Sequence, residues 1–240
     1  MGTGAAIAAA SLLDAWEQGE RQHPLHRALT LLSVAEPQAS IEALADLPIG
    51  ERDRRLFALR ARLFGGQLDA VAACPRCGEL LEISCDGQAV FGAESGLGGG
   101  AARPEAELEV GGRRLALRAP NTLDLLEIVG LPVAERPGAL MERCAGEALE
   151  GSARELAEAR LAELDPLGEV SFALGCAACG HEWNEVFDIA AFLWTEIGDR
   201  AQRLLREIHA LARAYGWREA DILALTPQRR AAYLALVTEG

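Results

Sequence analysis

The segments Cys74-Pro75-Arg76-Cys77-Gly78 and Cys176-Ala177-Ala178-Cys179-Gly180 share one pattern, Cys-x-x-Cys-Gly. This spacing lets two thiolates approach one metal ion from a tight turn. The glycine after the second cysteine permits a positive φ, which frees backbone amides to point at the sulfurs. Two such turns supply four thiolates, which complete a tetrahedral zinc site. The sequence therefore predicts one structural zinc ion held by Cys74, Cys77, Cys176 and Cys179.

The two cysteine pairs are unusually far apart in the chain. Ninety-eight residues, 78–175, lie between Cys77 and Cys176, whereas about 15–20 residues separate the pairs in the common zinc spacing. We interpret residues 86–168 as an insertion between two knuckles. Strands predicted at 79–84, 169–174 and 185–189 adjoin the knuckles. The expected architecture is a split four-cysteine zinc ribbon with a long insertion.

The composition favours helices around this site. Half of the 240 residues are apolar but only 5% are aromatic, so the core consists mainly of Leu, Ala, Val and Ile. We predict an α+β fold, mainly helical, that ends in a C-terminal helical hairpin. The predicted segments are 1–39 (leader and N-terminal helices), 40–85 (helical segment with the first knuckle), 86–168 (inserted hairpin plus helices), 169–194 (second knuckle) and 195–240 (C-terminal helices).

Apolar periodicity and capping signals place the individual elements. A Gly-Gly pair between alternating segments predicts a hairpin of 105–110 with 113–118, and residues 92–104, rich in glycine, are expected to form a flexible loop. Thr122 is the expected cap of a helix at 123–129. The other predicted helices cover 11–20, 27–34, 41–47, 51–64, 139–149, 153–164, 195–215, 218–225 and a last segment that starts at Thr226-Pro227 and runs to about 237.

Charge and hydropathy exclude several classes of function. The net charge is −13, and all 23 basic residues are Arg; such a chain does not bind phosphate backbones through bulk charge. The sequence contains no run of eighteen apolar residues, so we expect no membrane span. The apolar start, 1–13, lacks the positive region of a signal peptide, and we expect a disordered or helical leader. A cytoplasmic location keeps thiols reduced, which favours metal binding by paired cysteines.

No catalytic motif stands out in the sequence. It contains no Gly-x-Ser-x-Gly, phosphate loop or His-Glu-x-x-His pattern, and a site closed by four cysteines leaves no position for a reactive water. We therefore expect no enzymatic activity and no small-molecule substrate. Cys85 and Cys144 fit no pair and are expected to be buried or half-buried, while His181 is an alternative ligand. Two independent redox pairs remain a competing interpretation.

Three parts of the chain carry residues that can be compared with a known family. These parts are Leu-Pro-Ile-Gly-Glu-Arg-Asp-Arg-Arg-Leu (47–56) with Ala-Leu-Arg-Ala-Arg-Leu-Phe-Gly (58–65); Leu-Arg-Ala-Pro-Asn-Thr-Leu-Asp-Leu-Leu (117–126); and the second knuckle with Phe-Asp-Ile-Ala-Ala-Phe-Leu-Trp (187–194), Leu-Leu-Arg-Glu-Ile-His-Ala-Leu-Ala-Arg-Ala-Tyr-Gly-Trp (204–217) and Asp-Ile-Leu-Ala-Leu-Thr-Pro-Gln-Arg-Arg-Ala-Ala-Tyr-Leu (221–234). From about residue 40 onward, the chain resembles the T4-type phage baseplate hub assembly proteins and their relatives in contractile injection systems. Residues 1–35 and the glycine-rich loop lie outside this resemblance.

The resemblance implies a structural or assembly role at the baseplate of a contractile tail, with baseplate or hub proteins as partners. It leaves open whether the protein stays in the finished phage-like particle. Trp217, Arg229, Arg230 and Tyr233 in the C-terminal helices are the candidate partner contacts. The alternative is a zinc-ribbon regulator that binds nucleic acid through Arg218, Arg229 and Arg230, although nearby Glu219 and Asp221 oppose this interpretation.

Overall fold

The computed structural model of the protein describes residues 9–92 and 105–239. The fold is mixed α+β and mainly helical, as predicted, with small antiparallel sheets. The elements in chain order are α1 (Ala9–Gly19), α2 (Pro24–Ala35), α3 (Ile41–Ala45), α4 (Ile49–Phe64), β1 (Gln67–Ala73), β2 (Leu80–Asp86), α5 (Gly87–Phe91), β3 (Glu105–Val110), β4 (Arg113–Arg118), α6 (Thr122–Ile128), α7 (Arg136–Ala145), α8 (Gly151–Leu164), β5 (Val170–Gly175), β6 (Glu182–Phe187), α9 (Ile189–Tyr215), α10 (Glu219–Leu223) and α11 (Pro227–Glu239).

Residues 1–8 of the leader predicted at 1–13, and residues 93–104 of the loop predicted at 92–104, lie outside the described residues. The rest of the predicted leader belongs to α1. Within the part that is described, no helix combines the length and the apolar character needed to cross a membrane. The chain divides into two compact units, which we name the terminal unit (Met1–Ala35 with Ala190–Gly240) and the central unit (Glu36–Ile189). The finer division into five segments stays a prediction.

Three hairpins supply all the paired strands of the described chain. β1 pairs with β2, β3 with β4 and β5 with β6, each antiparallel and each a separate two-stranded sheet. The hairpin predicted at 105–110 and 113–118 is confirmed at those bounds. Strand β1 was not predicted from the sequence. It forms because every residue from Gln67 to Ala73 pairs with a residue of β2, a tertiary contact that local propensity does not report.

The inserted region of the central unit has its own apolar core. Its buried members come from strand β4 and helices α7 and α8: Leu117, Met141, Cys144, Ala145 and Ala157. Partly buried leucines of β3, α7 and α8 pack around them. Cys144 is only 2% exposed within this core, and Cys85 on β2 is half-buried. Both cysteines thus have the burial expected of ordinary packing residues.

Backbone hydrogen bonds fasten this inserted region to the start of α4. The amide of Ile49 donates to the carbonyl of Pro120 at 3.1 Å, beside an isolated antiparallel bridge between Pro48 and Asn121. The amide of Gly50 donates to Oδ2 of Asp165 at 2.9 Å. Pro48 provides no side-chain cap for α4, so Asp165 fulfils that role from 115 residues away.

Helix α6 begins with a reciprocal cap that the sequence analysis placed one residue too late. The side chain of Asn121, not Thr122, accepts from the amide of Asp124 at 2.9 Å, and the Asp124 carboxylate accepts from the Asn121 amide at 3.1 Å. Asn121 has the extended backbone that a cap requires. The buried Asp124 carboxylate also accepts hydrogen bonds from Arg118 and Arg143.

A row of phenylalanines forms a further part of the central unit. The ring of Phe57 on α4 stacks on Phe91 of α5, with centroids 5.1 Å apart. Phe91 approaches Phe187 of β6 at 6.2 Å, and Phe187 contacts Phe172 of β5 at 5.6 Å. These contacts join the hairpin β5–β6 to helices α4 and α5. Four of the chain's few aromatic residues are therefore concentrated where elements from distant parts of the chain meet.

The terminal unit assembles helices from both ends of the described chain. The indole of Trp194 on α9 lies against Gly19, leaving no room there for a Cβ. The Arg27 guanidinium covers the same ring at 4.7 Å, and its Nε donates to the Gly19 carbonyl at 2.8 Å. Helix α9 buries one apolar stripe: Leu193, Ile197, Ala201, Leu204, Ile208 and Leu211.

Helix α9 starts six residues earlier than predicted, at Ile189 instead of Thr195. Thr195 resembled a cap, but its hydroxyl donates back to the carbonyl of Ala191 at 3.1 Å inside the helix. The strand predicted at 185–189 correspondingly lies at Glu182–Phe187. The strand prediction extended too far because Val186, Phe187 and Ile189 all have strong strand propensity.

Candidate metal centre

The two cysteine turns close hairpins β1–β2 and β5–β6 and have the same local structure. In the first, the Cys74 amide donates to the carbonyl of Glu79 at 2.8 Å, and the Gly78 amide donates to the Cys74 carbonyl at 2.9 Å. In the second, the Cys176 amide donates to the carbonyl of His181, and the Gly180 amide to the Cys176 carbonyl, both at 2.8 Å. Each knuckle is thus a rigid turn held by the strand ladder.

The glycine after each second cysteine is explained by backbone conformation. Gly78 has φ +77° and Gly180 has φ +69°, values in the left-handed region that residues with a Cβ rarely adopt. The space around both positions is open, so conformation alone requires glycine. This turn conformation directs backbone amides at the sulfurs, as the sequence pattern indicated.

The four sulfur atoms converge although their knuckles are distant in sequence. The Sγ atoms of Cys74 and Cys179 are 3.7 Å apart, and those of Cys77 and Cys176 are 3.6 Å apart. All four lie within 4.8 Å of one another. A tetrahedral zinc–thiolate site with bonds of about 2.3 Å has sulfurs about 3.8 Å apart. The spacing of the cluster therefore fits one metal ion at its centre.

The same distances distinguish metal binding from disulfide formation. A disulfide requires sulfurs about 2.05 Å apart, and all four cysteines are free thiols. Four convergent thiolates are a soft, tetrahedral donor set, which suits zinc or iron among the metals that proteins use. The cluster can bind a metal ion, and the residues of the two knuckles fit such a group.

Proton affinity differs strongly between two of the thiols. Burial tends to raise the pKa of Cys74, but the amides of Arg76 and Cys77 outweigh it and lower the pKa to about 7. The amide of Glu79 tends to lower the pKa of Cys77, yet hydrogen bonding with Cys179 and burial raise it to about 12. The backbone therefore stabilises negative charge on Cys74, as expected for a sulfur that coordinates a cation.

The cluster is asymmetric with respect to solvent. Cys74 and Cys176, the first cysteine of each knuckle, are buried, whereas Cys77 is exposed and Cys179 is half-buried. Among the residues that the structure describes, this is the one group of potential ligands close enough to share an ion. The alternative ligand His181 lies outside it, and its ring stacks on Trp183 at 5.9 Å.

Comparisons with models of protein families, with curated proteins and with solved structures find no match to this chain.

The candidate partner residues lie in the terminal unit and differ in accessibility. Trp217 and Tyr233 contact each other edge to face at 4.9 Å, and both are half-buried. Tyr215, which is not among the predicted partner residues, stacks on Trp217 at 4.7 Å and completes a three-ring cluster. Trp217 lies only two residues beyond the end of α9, in a turn whose conformation the apolar periodicity of the helix does not report.

The two candidate arginines have different environments. Arg229 is exposed. Arg230 is only 1% exposed, and its Nε donates to the Glu207 carboxylate at 2.7 Å. The Arg230 side chain therefore joins α11 to α9 and is not presented to a partner, which corrects its assignment as a surface contact. The alternative interpretation as a nucleic-acid binder loses one of its three arginines.

Proposed function

We propose that the protein is a non-enzymatic structural or assembly component of a contractile-tail baseplate, in a phage or a contractile injection system, and that one structural zinc ion stabilises it. The metal site is proposed as a split zinc ribbon in which hairpins β1–β2 and β5–β6 each provide one knuckle. The observation that carries the structural role is the convergence of four thiolates from turns 98 residues apart.

The chemistry of this donor set supports a structural ion over a catalytic one. Cys74, Cys77, Cys176 and Cys179 would occupy all four positions of a tetrahedral zinc, so that neither water nor substrate could bind the ion. The residues flanking the cysteines position the sulfurs through the backbone. What the ion would supply is a link between two distant segments of the central unit.

The assignment to a contractile tail rests on the resemblance of three sequence stretches described above. The cluster of Tyr215, Trp217 and Tyr233 supports a binding role, since aromatic residues dominate the energetics of protein interfaces. Its three rings are concentrated in a chain with 5% aromatic residues. We assign this cluster, with the exposed Arg229 four residues before Tyr233 on α11, as the contact to a baseplate or hub protein.

The identity of the metal can be tested directly. The reduced full-length protein is purified without added metal, and its metal content is measured by mass spectrometry. One zinc per chain is the expected result. A tetrathiolate iron site would instead give strong visible absorption, which would contradict zinc but keep the four-cysteine cluster. Protein free of bound metal that does not take up zinc would refute the site itself.

The assembly role is tested in a host that produces contractile tails and encodes this chain. Deletion of its gene is expected to abolish normal tails, as seen by electron microscopy, and the wild-type gene is expected to restore them. Complementation with a Trp217→Ala variant separates partner binding from folding, provided that its zinc content and stability match those of the wild type. Normal tails in the deletion strain would refute the proposal.

A further inference from the structure

The solvent-facing side of hairpin β1–β2 exposes two large aliphatic side chains. Val71 on β1 is 62% exposed and Leu80 on β2 is 68% exposed. Val71 lies opposite Glu82, two residues beyond Leu80, so the two apolar residues are diagonal neighbours on one face of the sheet. Ala73, opposite Leu80, is exposed on the same face. The three side chains form one apolar patch next to the first knuckle.

Acidic residues follow this apolar patch along the hairpin, on the side away from the knuckle, whose turn contains the exposed Arg76. Asp69, Glu82 and Asp86 all lie on the same exposed face. Neither strand contains a basic residue, since β1 reads Gln-Leu-Asp-Ala-Val-Ala-Ala and β2 reads Leu-Leu-Glu-Ile-Ser-Cys-Asp. The strand residues of this face thus combine exposed aliphatic side chains with acidic side chains only. A complementary surface would carry positive charge beside an apolar group.

The second knuckle hairpin shows that the apolar pair is not needed to build a knuckle. Three residues before the first cysteine, β5 has Ala173 where β1 has Val71. Three residues after the second cysteine, β6 has Glu182 where β2 has Leu80. Both hairpins nevertheless form the same turn, with matching backbone hydrogen bonds. Exposed Val71 and Leu80 therefore need an explanation other than the fold of the metal site.

We infer that the outer face of hairpin β1–β2 is a docking surface for a basic, apolar segment of another protein. Val71 and Leu80 supply the apolar contact, while Asp69, Glu82 and Asp86 attract the flanking arginine or lysine side chains. A second copy of this chain does not fit, because two acidic faces repel each other. Nucleic acids and anionic lipids are excluded from this face by the same charge. The inference goes beyond the proposed function, because it holds for any assembly that supplies such a segment.

The test uses the full-length, zinc-loaded protein and short fluorescent peptides. One peptide alternates arginine with valine, a second alternates arginine with serine, and a third alternates glutamate with valine. Binding is measured by fluorescence anisotropy at low and at physiological salt. We expect the arginine–valine peptide to bind most tightly, and a Val71→Ser/Leu80→Ser variant to weaken it by roughly tenfold or more.

A matched control comes from the second hairpin, where Val186 is as exposed as Val71, at 62%. A Val186→Ser variant is expected to bind the arginine–valine peptide as well as the wild type does. Zinc content and circular dichroism confirm that each variant is folded. If the arginine–serine peptide bound as tightly as the arginine–valine peptide, binding would be purely electrostatic and the inference would be overturned. A wild-type dimer in sedimentation experiments that dissociates in the Val71→Ser/Leu80→Ser variant would also overturn the inference, in favour of self-association.

Discussion

Removing the second knuckle from the metal site gives the sharpest test of the architecture. A Cys176→Ser/Cys179→Ser variant leaves two of the four ligands, so we expect it to lose the metal. Hairpins β1–β2 and β5–β6 would then no longer be linked through the ion. The inserted region between them would remain attached through the hydrogen bonds at Ile49 and Gly50, because these contacts do not involve the cysteines.

The size of the effect follows from the length of chain that the ion closes into a loop. The link from Cys77 to Cys176 encloses ninety-eight residues, 78–175. In the chain-entropy treatment, a cross-link that closes a loop of about 100 residues stabilises a protein by about 4.7 kcal/mol. We expect a loss of unfolding free energy of about this size, because the variant loses the link while the metal-free central unit keeps its helical contacts.

Hydrogen exchange read by mass spectrometry locates the effect, and chemical unfolding measures its size. Amides of β1, β2, β5 and β6 are expected to lose up to roughly 10³-fold of protection. Amides of α7 and α8, in the separate core of the insertion, should change far less. A Cys85→Ser variant is the control, because Cys85 lies outside the cluster. Wild-type protection in the double variant, together with wild-type stability, would refute the role of the ion as a clip.

Two further predictions concern contacts within the central unit. A Gly50→Ala variant would bring its Cβ into a clash with Oδ1 of Asp165, so we expect a loss of about 2 kcal/mol in urea unfolding. Gly130→Ala, where no atom lies within 4 Å, is the control, and an equal effect of both would contradict the packing argument. Burial tends to raise the pKa of Asp124, but its arginine partners and the Asn121 amide lower it from 3.8 to about 2. Since this folded-state pKa lies below the unfolded value, the stabilisation is complete above pH 4 and is lost as the pH falls through about 2. An Asp124→Asn variant should therefore lose about 1–2 kcal/mol at pH 7, a value reduced for partial solvent screening of the arginines, and the difference should shrink in acid; a difference that is constant with pH would disprove this origin.

The two cysteine knuckles could be predicted from the sequence because the determinants of each turn are local. The cysteine spacing and the glycines at 78 and 180 report the turn conformation directly, and both adopt the expected positive φ. The helix predicted at 51–64 likewise ends at Phe64, where Gly65 is the C-cap. The helix predicted to start at 41 begins there, after Ser40, whose hydroxyl accepts from the Ala43 amide. Local conformations that depend only on neighbouring residues in the chain could therefore be predicted from the sequence pattern.

Contacts between distant segments could not be predicted in this way. Nothing near Gly19 indicates that Trp194 lies against it, and nothing near Gly50 indicates Asp165 as its acceptor. Arg230 is an example at the candidate partner surface. Arginine normally faces solvent unless it is paired, and the position of Glu207 on another helix explains the burial of Arg230. Such partners depend on how helices pack, which periodicity does not encode.

The order in which the ribosome releases the chain has a consequence for the two units. The central unit, Glu36–Ile189, is one continuous stretch, whereas the terminal unit combines Met1–Ala35 with Ala190–Gly240. During translation, α1 and α2 emerge before the central unit, whereas Trp194, which lies against Gly19 of α1, follows only after that unit has been synthesised. The central unit can complete its folding during that interval. Helices α1 and α2 therefore reach their native contacts with α9 only after the central unit has had time to fold.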